Sequence, residues 1–171
     1  GDFNGDGRSD VLLRHDNGWM TEWLGQANGS FLDNGAVASN WIHPSWQVVG
    51  TGDFNGGGRD DLLLRHSDGT IVEWLGQANG SFVANGAAAN WLHSAWDVAS
   101  TGDFNGDGRS DLLLRHDNGW TTEWLGQANV SFLDNGAVAS NWTHPDWQVA
   151  GSGDFNGDGR SDVLLRHKNG W

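Results

Sequence analysis

Aspartate, asparagine and glycine alternate in a short segment whose first copy reads GDFNGDGRSD from residue 1. In a tight glycine-rich turn, side chains at alternate positions direct their oxygens toward one centre. Asp2, Asn4 and Asp6 occupy such positions, and the Arg8 carbonyl and the Asp10 carboxylate extend the set. Oxygen ligands in a flexible cage suit Ca²⁺ better than a transition metal. The spacing therefore predicts a calcium site formed by these five residues.

The segment recurs from residues 52, 102 and 153. Two of these copies carry the complete set of oxygen ligands, at Asp103, Asn105, Asp107, Arg109 and Asp111 and at Asp154, Asn156, Asp158, Arg160 and Asp162. In the copy at 52, Gly57 replaces the third ligand, and we expect weak or absent binding by Asp53, Asn55 and Asp61. The alternative is a turn without a cation, since Asn, Asp and Gly are ordinary turn residues. Mutual repulsion of three carboxylates within nine residues favours a bound cation.

The copies divide the chain into sequence repeats. Units 1–51, 52–101 and 102–152 are complete, and 153–171 is a partial fourth unit of the same repeat domain. The second unit is one residue shorter, because AAANW stands where the other units have AVASNW. Repeats of about fifty residues are typical of propellers and solenoids, whose units bury their faces only by stacking on neighbours.

Turn signals within each unit indicate strands. Asn17-Gly18 and its copies separate two apolar runs, as in a type I′ β-hairpin, and Asn28-Gly29 predicts a second hairpin. Val130 replaces the glycine of that second turn in the third unit, so we expect a different turn there. Four short strands per unit predict an all-β propeller blade, with a solenoid as the alternative. The runs VLL and LLL are apolar at every position, as expected of strands buried on both faces between neighbouring sheets. Exposed edge strands would remain in so short an array, which predicts a homo-oligomer or part of a longer repeat chain.

The motif DFNGDGRSD, followed by an apolar strand and an NG hairpin, resembles the FG-GAP or VCBS repeat of integrin α-chain propellers and of many secreted bacterial proteins. The resemblance covers the whole chain in register. It implies propeller blades whose aspartate loops bind calcium. It also implies a fold-level similarity to fungal lectins that hold sugars between the blades of a calcium-bearing propeller.

A second motif combines tryptophan with histidine. The segment WIHPSW at 41–46 predicts a carbohydrate site, because sugar C–H groups stack on a flat ring and hydroxyls bond an imidazole. The predicted ligand-binding residues are Trp41, His43, Trp91, His93, Trp142 and His144. The alternative is that these tryptophans pack between blades and the histidines satisfy loop carbonyls.

Three further aromatic columns and a histidine column recur in each unit. We expect packing roles for the columns that begin with Trp23 and Trp46, and a surface position for the column of Trp19, which becomes Thr70 in the second unit. The histidine column that begins with His15 follows an arginine beside the hairpin turn, and we expect a structural role for it.

Composition excludes several functions. The net charge of -13 repels nucleic acid and anionic membrane surfaces. The absence of cysteine excludes disulfides and thiol catalysis, and no apolar run of about 20 residues is present for membrane insertion. Because the chain begins at Gly1 without an initiator methionine, we expect a processed product or a fragment.

The repetition of every acid and histidine argues against an enzyme, because catalysis needs a unique asymmetric group of residues; we predict no catalytic residues. Repeated equivalent sites suit multivalent binding. The sequence therefore predicts a secreted, extracellular or cell-surface protein that binds Ca²⁺ and a carbohydrate or glycoconjugate. The alternatives are a structural or adhesion propeller that contacts another protein, and an accessory module of a larger secreted protein.

Overall fold

The structure is a computed structural model, which describes residues 1–170 and, among these, the side chains outside 86–89. Trp171, the last member of the Trp19 column, lies outside the described residues. Strands account for 48% of the chain and helices for 5%, which confirms the all-β class. The chain forms two compact units. The first contains residues 1–53 and 57–89, and the second contains residues 54–56 and the chain from Asn90 onward.

Antiparallel strands fill the first half of the chain. The elements are β1 (Val11–Arg14), β2 (Trp19–Gly25), β3 (Phe31–Asp33), the helical turn α1 (Gly35–Ala38), β4 (Asn40–Trp41), β5 (Trp46–Gly52), β6 (Asp61–His66), β7 (Thr70–Gly76) and β8 (Phe82–Trp91). One sheet has the order β1-β2-β3, and β4 pairs with the first two residues of β2. The next has the order β5-β6-β7-β8.

The second half repeats this pattern. Its elements are β9 (Trp96–Gly102), β10 (Asp111–His116), β11 (Trp120–Gly126), β12 (Phe132–Asp134), the helical turn α2 (Gly136–Ala139), β13 (Asn141–Trp142), β14 (Trp147–Gly153) and β15 (Asp162–His167). A five-stranded sheet has the order β12-β11-β10-β9 with β13 against β11, and β14 pairs with β15. Short antiparallel sheets of this kind are consistent with the propeller blades that the sequence predicts.

The three sheets that follow the first one each begin with a strand that precedes an aspartate-rich loop, namely β5, β9 and β14. The last strand of one sequence repeat pairs with the first strand of the next, and this register places Trp46 opposite His66. Their rings lie 4.8 Å apart, and the same pairing holds Trp96 against His116 at 4.9 Å and Trp147 against His167 at 5.0 Å. These histidines therefore pack on a neighbouring strand, which is the structural role expected of their column.

The hairpin after β1 is not of type I′. A type I′ turn requires positive φ at both central residues, and the only non-glycine residue with positive φ in the described part of the chain is Val130. The turn is closed by the Gly18 N–H, which donates to the His15 carbonyl at 2.9 Å, and Gly18 has φ 95°. A turn followed by a left-handed glycine is the three-residue hairpin with a bulge. The predicted turn type was wrong because it needs Asn17 to be left-handed as well.

Val130 keeps the turn of its glycine counterparts. Its N–H donates to the Gln127 carbonyl at 2.8 Å, as the Gly29 N–H does to Gln26 at 2.9 Å. The expectation of a different turn in the third unit was wrong. The valine instead adopts φ 62°, a conformation that is strained for a β-branched residue.

The missing residue in the second unit changes a secondary structure. The first and third units follow their third strand with the helical turns α1 and α2. The second unit continues as the single ten-residue strand β8. The shorter connection of the second unit, in which Ala84 also replaces Asp33, is therefore extended where the other units form a helical turn.

Leucines supply the buried interior. Leu62, Leu63 and Leu64 of β6 are all buried, as are their copies in β10. Burial on both faces of one strand confirms for the LLL runs that these strands lie between packed layers. The VLL runs depart from this expectation, because Leu13 and Leu164 are 38% and 52% exposed. Trp46 and Trp74 pack against a buried cluster that includes Leu62 and Leu64. Trp23, in the same predicted packing column as Trp74, is 40% exposed. Within the described part of the chain, no helix is long and apolar enough to cross a membrane.

Candidate functional site

The aspartate-rich loop is closed by its own side chains. In the first copy, one carboxylate oxygen of Asp2 accepts the N–H groups of Gly5 at 2.9 Å and Asp6 at 3.0 Å. Its second oxygen accepts the Gly7 N–H at 2.8 Å. Gly5 and Gly7 have φ of 77° and 83°, which glycine adopts without a steric penalty. The spacing of the motif therefore produces a turn wrapped around one carboxylate.

The first three predicted ligands lie together in this turn. The Asn4 Oδ1 atom accepts the same Asp6 N–H as Asp2, at 3.0 Å. The Asn4 amide in turn donates to the Asp6 carboxylate at 3.3 Å. The Arg8 guanidinium pairs with that carboxylate. Oxygens of Asp2, Asn4 and Asp6 thus share one exposed turn, and the positive charge beside Asp6 is that of Arg8.

Asp10 lies apart from this group. It is only 6% exposed, and its two carboxylate oxygens accept the N–H groups of Phe3 and of Gly25 in β2, each at 2.9 Å. Its copy Asp111 is the first residue of β10 and makes the same bonds to Phe104 and Gly126 at 2.9 Å. Burial raises the pKa of Asp111 to about 6. The structure therefore places this column at the base of the loop, where it joins the loop to the neighbouring strand.

The other copies repeat this geometry. Asp103 and Asp154 accept the corresponding loop N–H groups, and these bonds lower the pKa of Asp154. Arg109 pairs with Asp107, as Arg8 does with Asp6. In the second copy, Asp53 accepts the N–H groups of Gly57 at 2.8 Å and Gly58 at 2.7 Å.

The chemistry of these loops favours a bound cation, whereas their geometry does not form a metal site. Their exposed side-chain donors are carboxylate and amide oxygens, which fit a hard divalent cation. Among the described residues, however, no group of three or more acidic, histidine or cysteine side chains is arranged to hold a metal ion. Asp2, Asn4 and Asp6 would be the side chains that hold the cation, and it would take the place of the Arg8 guanidinium beside Asp6.

The tryptophans of the Trp-x-His loops are held at their edges and remain open to solvent. The indole N–H of Trp41 donates to the Asn17 carbonyl at 2.9 Å, and that of Trp142 donates to Asn118 at 3.0 Å. The exposed fractions of Trp41, Trp91 and Trp142 are 49%, 59% and 54%. Each of the three rings is therefore about half exposed in this chain.

The histidines of these loops have fixed rings. The Nδ1 atom of His93 accepts the Ala95 N–H at 3.1 Å, and His43 and His144 accept N–H groups in the same way at 3.2 Å. Each ring stands nearly perpendicular to its tryptophan, with centroids 5.9, 5.7 and 6.1 Å apart in chain order. Because Nδ1 accepts, the neutral ring carries its proton on Nε2. Every loop thus presents a ring face beside an oriented imidazole.

A cavity of about 340 Å³ lies beside Trp91. Sequence reasoning identified two of its lining residues, Trp91 and His93. It did not assign four other lining residues, Thr122, Trp124, Asp134 and Ser140, to a ligand site. A difference between the repeats could have drawn attention to Asp134: the same position carries Asp33 in the first unit but Ala84 in the second.

Two buried glutamates lie away from both motifs. Glu22 of β2 and Glu73 of β7 are fully buried, and burial raises their pKa values to about 7 and about 8. The Asn34 amide donates to Glu22 at 3.2 Å. Both carboxylate oxygens of Glu73 lack a hydrogen-bond partner among the described residues. Buried, unpartnered carboxylates are costly to ionise, so these residues affect stability.

Comparison with known proteins identifies the repeat. A family model described as an FG-GAP-like repeat matches residues 2–64, 53–114 and 103–165. The matched segments together span most of the chain, and they confirm the resemblance drawn from the DFNGDGRSD motif. No curated protein matches the chain.

Proposed function

We propose that this chain is a non-enzymatic protein that binds carbohydrate. It belongs to the FG-GAP-like repeat family, which is generally non-catalytic and whose repeats suggest a protein–protein interaction module. Carbohydrate as the ligand is the finer proposal. The observation that carries this proposal is the Trp91 loop. A tryptophan that is 59% exposed stands beside an oriented imidazole at a cavity of about 340 Å³. The cavity is large enough for a monosaccharide and lies within the usual range of ligand sites.

Sugar rings suit such a site for a physical reason. One face of a hexose presents C–H groups that pack on an aromatic ring, while its hydroxyls need hydrogen-bond partners at the ring's edge. Ser140, Thr122 and the His93 imidazole are polar groups of the required kind around the cavity. Repeated Trp-x-His loops would let several weak contacts combine into useful avidity.

The test is a glycan array followed by titration calorimetry with the best saccharide. Trp91→Ala should lower the affinity at least tenfold, by about 1.4 kcal/mol or more, since it removes the stacking surface. The control is Phe31→Ala, which removes an aromatic ring that is likewise half exposed but lies outside the Trp-x-His loops. An absence of saccharide binding by the folded protein, or an equal loss in both variants, would contradict the proposal.

We also propose that the loops of the first, third and fourth copies bind calcium through the Asp2, Asn4 and Asp6 positions. The support is the oxygen-only donor set and its exposure at one turn. Calcium at extracellular concentrations would occupy sites of modest affinity. We further propose a secreted, extracellular or cell-surface setting, and a homo-oligomer or a longer repeat chain that covers the edge strands. Calorimetry with CaCl₂ tests the binding, and solution mass measurement tests the assembly.

Adhesion to another protein is the second candidate. It is favoured by an apolar column on the third strand of each repeat, where Leu32, Val83 and Leu133 are each more than half exposed. Exposed apolar side chains that recur at one position suit contact with a protein partner. Replacing Leu133 by Ser should abolish partner capture and leave saccharide binding unchanged if this candidate is correct. Intact capture by the Leu133 variant would exclude the column as its contact surface.

A further inference from the structure

The cavity beside Trp91 has an electrostatic character of its own. Among the described residues that line it, Asp134 is the only acid, and no lysine or arginine lines it. Three indole rings, those of Trp91, Trp96 and Trp124, contribute to the lining. An aromatic face carries negative electrostatic potential and attracts cations, and a carboxylate adds to that attraction.

Asp134 is held in position by its own turn. The Gly136 N–H donates to Asp134 Oδ1 at 2.8 Å, and the Ser140 hydroxyl donates to the Gly136 carbonyl at 2.6 Å. A Cβ atom at position 136 would lie only 2.9 Å from both Asp134 Oδ1 and Thr122 Oγ1, so the site depends on glycine there. The hydrogen bond to Gly136 uses Oδ1, and Oδ2 is the oxygen that it leaves for a ligand.

We propose that the Trp91 cavity prefers saccharides that carry a protonated amino group, of the D-glucosamine type, over neutral and acidic saccharides. The inference rests on the proposed carbohydrate function and specifies the chemical class of its ligand. The sugar ring stacks on the exposed Trp91 face, and the ammonium group lies among the indoles and donates to the Asp134 carboxylate. An acidic saccharide is repelled by the same carboxylate.

The Trp41 loop lacks this combination. At the positions that match Thr122 and Asp134, the second unit carries Val72 and Ala84. Val72 packs against the same core cluster as Ile42 and Trp46. Of the Trp41 and Trp91 loops, only the Trp91 loop therefore has the preference for amino sugars. The Trp-x-His sites are not equivalent.

The experiment compares three hexoses that differ in charge: D-glucosamine, D-glucose and D-glucuronate. Ligand-observed NMR titrations at pH 6.5 measure each affinity for the full chain. Glucosamine should bind about fivefold to tenfold more tightly than glucose, as expected for one exposed ion pair with a cation–π contribution. Glucuronate should bind more weakly than glucose. The preference should shrink in 0.5 M salt because exposed charge pairs are screened.

Asp134→Ala reproduces the alanine of the second unit and should make the affinities for glucosamine and glucose equal. Asp134→Asn retains an oxygen acceptor for the Gly136 N–H and should also remove the preference, which covers the case in which the alanine variant unfolds. The matched control is Asp33→Ala. Asp33 makes the same 2.8 Å bond to Gly35 but does not line this cavity.

The outcomes separate the two proposals. If glucosamine and glucose bind equally to the parent protein, the amino preference is wrong while carbohydrate binding stands. If none of the hexoses binds, the carbohydrate function itself is wrong. A preference that survives in both Asp134 variants, or that disappears in Asp33→Ala, overturns the assignment to Asp134.

Discussion

Replacing Glu73 by glutamine should stabilise the protein at neutral pH, and the gain should disappear in acid. Glu73 is 1% exposed, and its carboxylate oxygens have no hydrogen-bond partner among the described residues. Burial, with a smaller contribution from the nearby Asp61 charge, raises its pKa from the ordinary 4.5 to about 8. A buried glutamine has nearly the same shape and never has to carry a charge.

The sign and size follow from proton linkage. Between pH 4.5 and 8 the folded chain binds the Glu73 proton more tightly than the unfolded chain, so the free energy of unfolding falls as pH rises. The slope approaches about 1.4 kcal/mol per pH unit. Relative to the parent, Glu73→Gln should therefore gain little at pH 4.5 and on the order of 3 kcal/mol at pH 7.

Urea unfolding followed by tryptophan fluorescence at pH 5, 6, 7 and 8 measures this difference. Glu123→Gln is the matched control, because Glu123 occupies the same strand position but is only half buried and bonds Asn135. Its pH dependence should be smaller. The reasoning is refuted if the stability difference between Glu73→Gln and the parent is the same at every pH, or if the variant is less stable at pH 8.

The remaining predictions concern the turns and loops. Val130→Gly should raise the free energy of unfolding by about 1 kcal/mol in urea titrations, because glycine adopts a φ of 62° without strain. Gly29→Val should lower the free energy of unfolding for the converse reason. A Val130→Gly variant that is less stable than the parent would show that Val130 is not strained. Asp111→Ala should cost about 3 kcal/mol in the same assay, since it leaves the N–H groups of Phe104 and Gly126 without their acceptor. Excess calcium should raise the thermal midpoint, because a hundredfold excess over Kd adds about 2.7 kcal/mol per site to the free energy of unfolding. Asp107→Gly, which copies Gly57, should reduce that increase, and identical melting curves in CaCl₂ and in chelator would rule out the calcium loops.

The strand pattern was predictable where it depends on neighbours in the sequence. Apolar runs on both sides of Asn17-Gly18 predicted the hairpin of β1 and β2, and the LLL run at 62–64 predicted a strand buried on both faces. The turn type was not predictable, because it depends on whether Asn17 or only Gly18 is left-handed. Val130 shows the same limit: the flanking hairpin holds the turn in its shape although the valine disfavours it.

The candidate sites divide in the same way. The spacing of Asp2, Asn4 and Asp6 correctly predicted that their oxygens share one turn. It could not show that Asp10 accepts the N–H of Gly25, fifteen residues further along the chain, which draws that carboxylate to the base of the loop. The exposed Trp91 and His93 were identified from their loop, whereas Asp134 became part of the cavity only when β11, β12 and α2 brought it there.

By itself, the sequence determined the repeat family, the all-β class, the closed aspartate turns and the Trp-x-His loops. Each of these depends on residue types a few positions apart, whose geometry is set by local backbone sterics and hydrogen bonds. Only the tertiary structure decided which carboxylates are buried, which indoles stay exposed and which acid faces the Trp91 cavity. Burial and electrostatic environment depend on strands that are distant in sequence, and four nearly identical repeats therefore acquire different chemistry from their different neighbours.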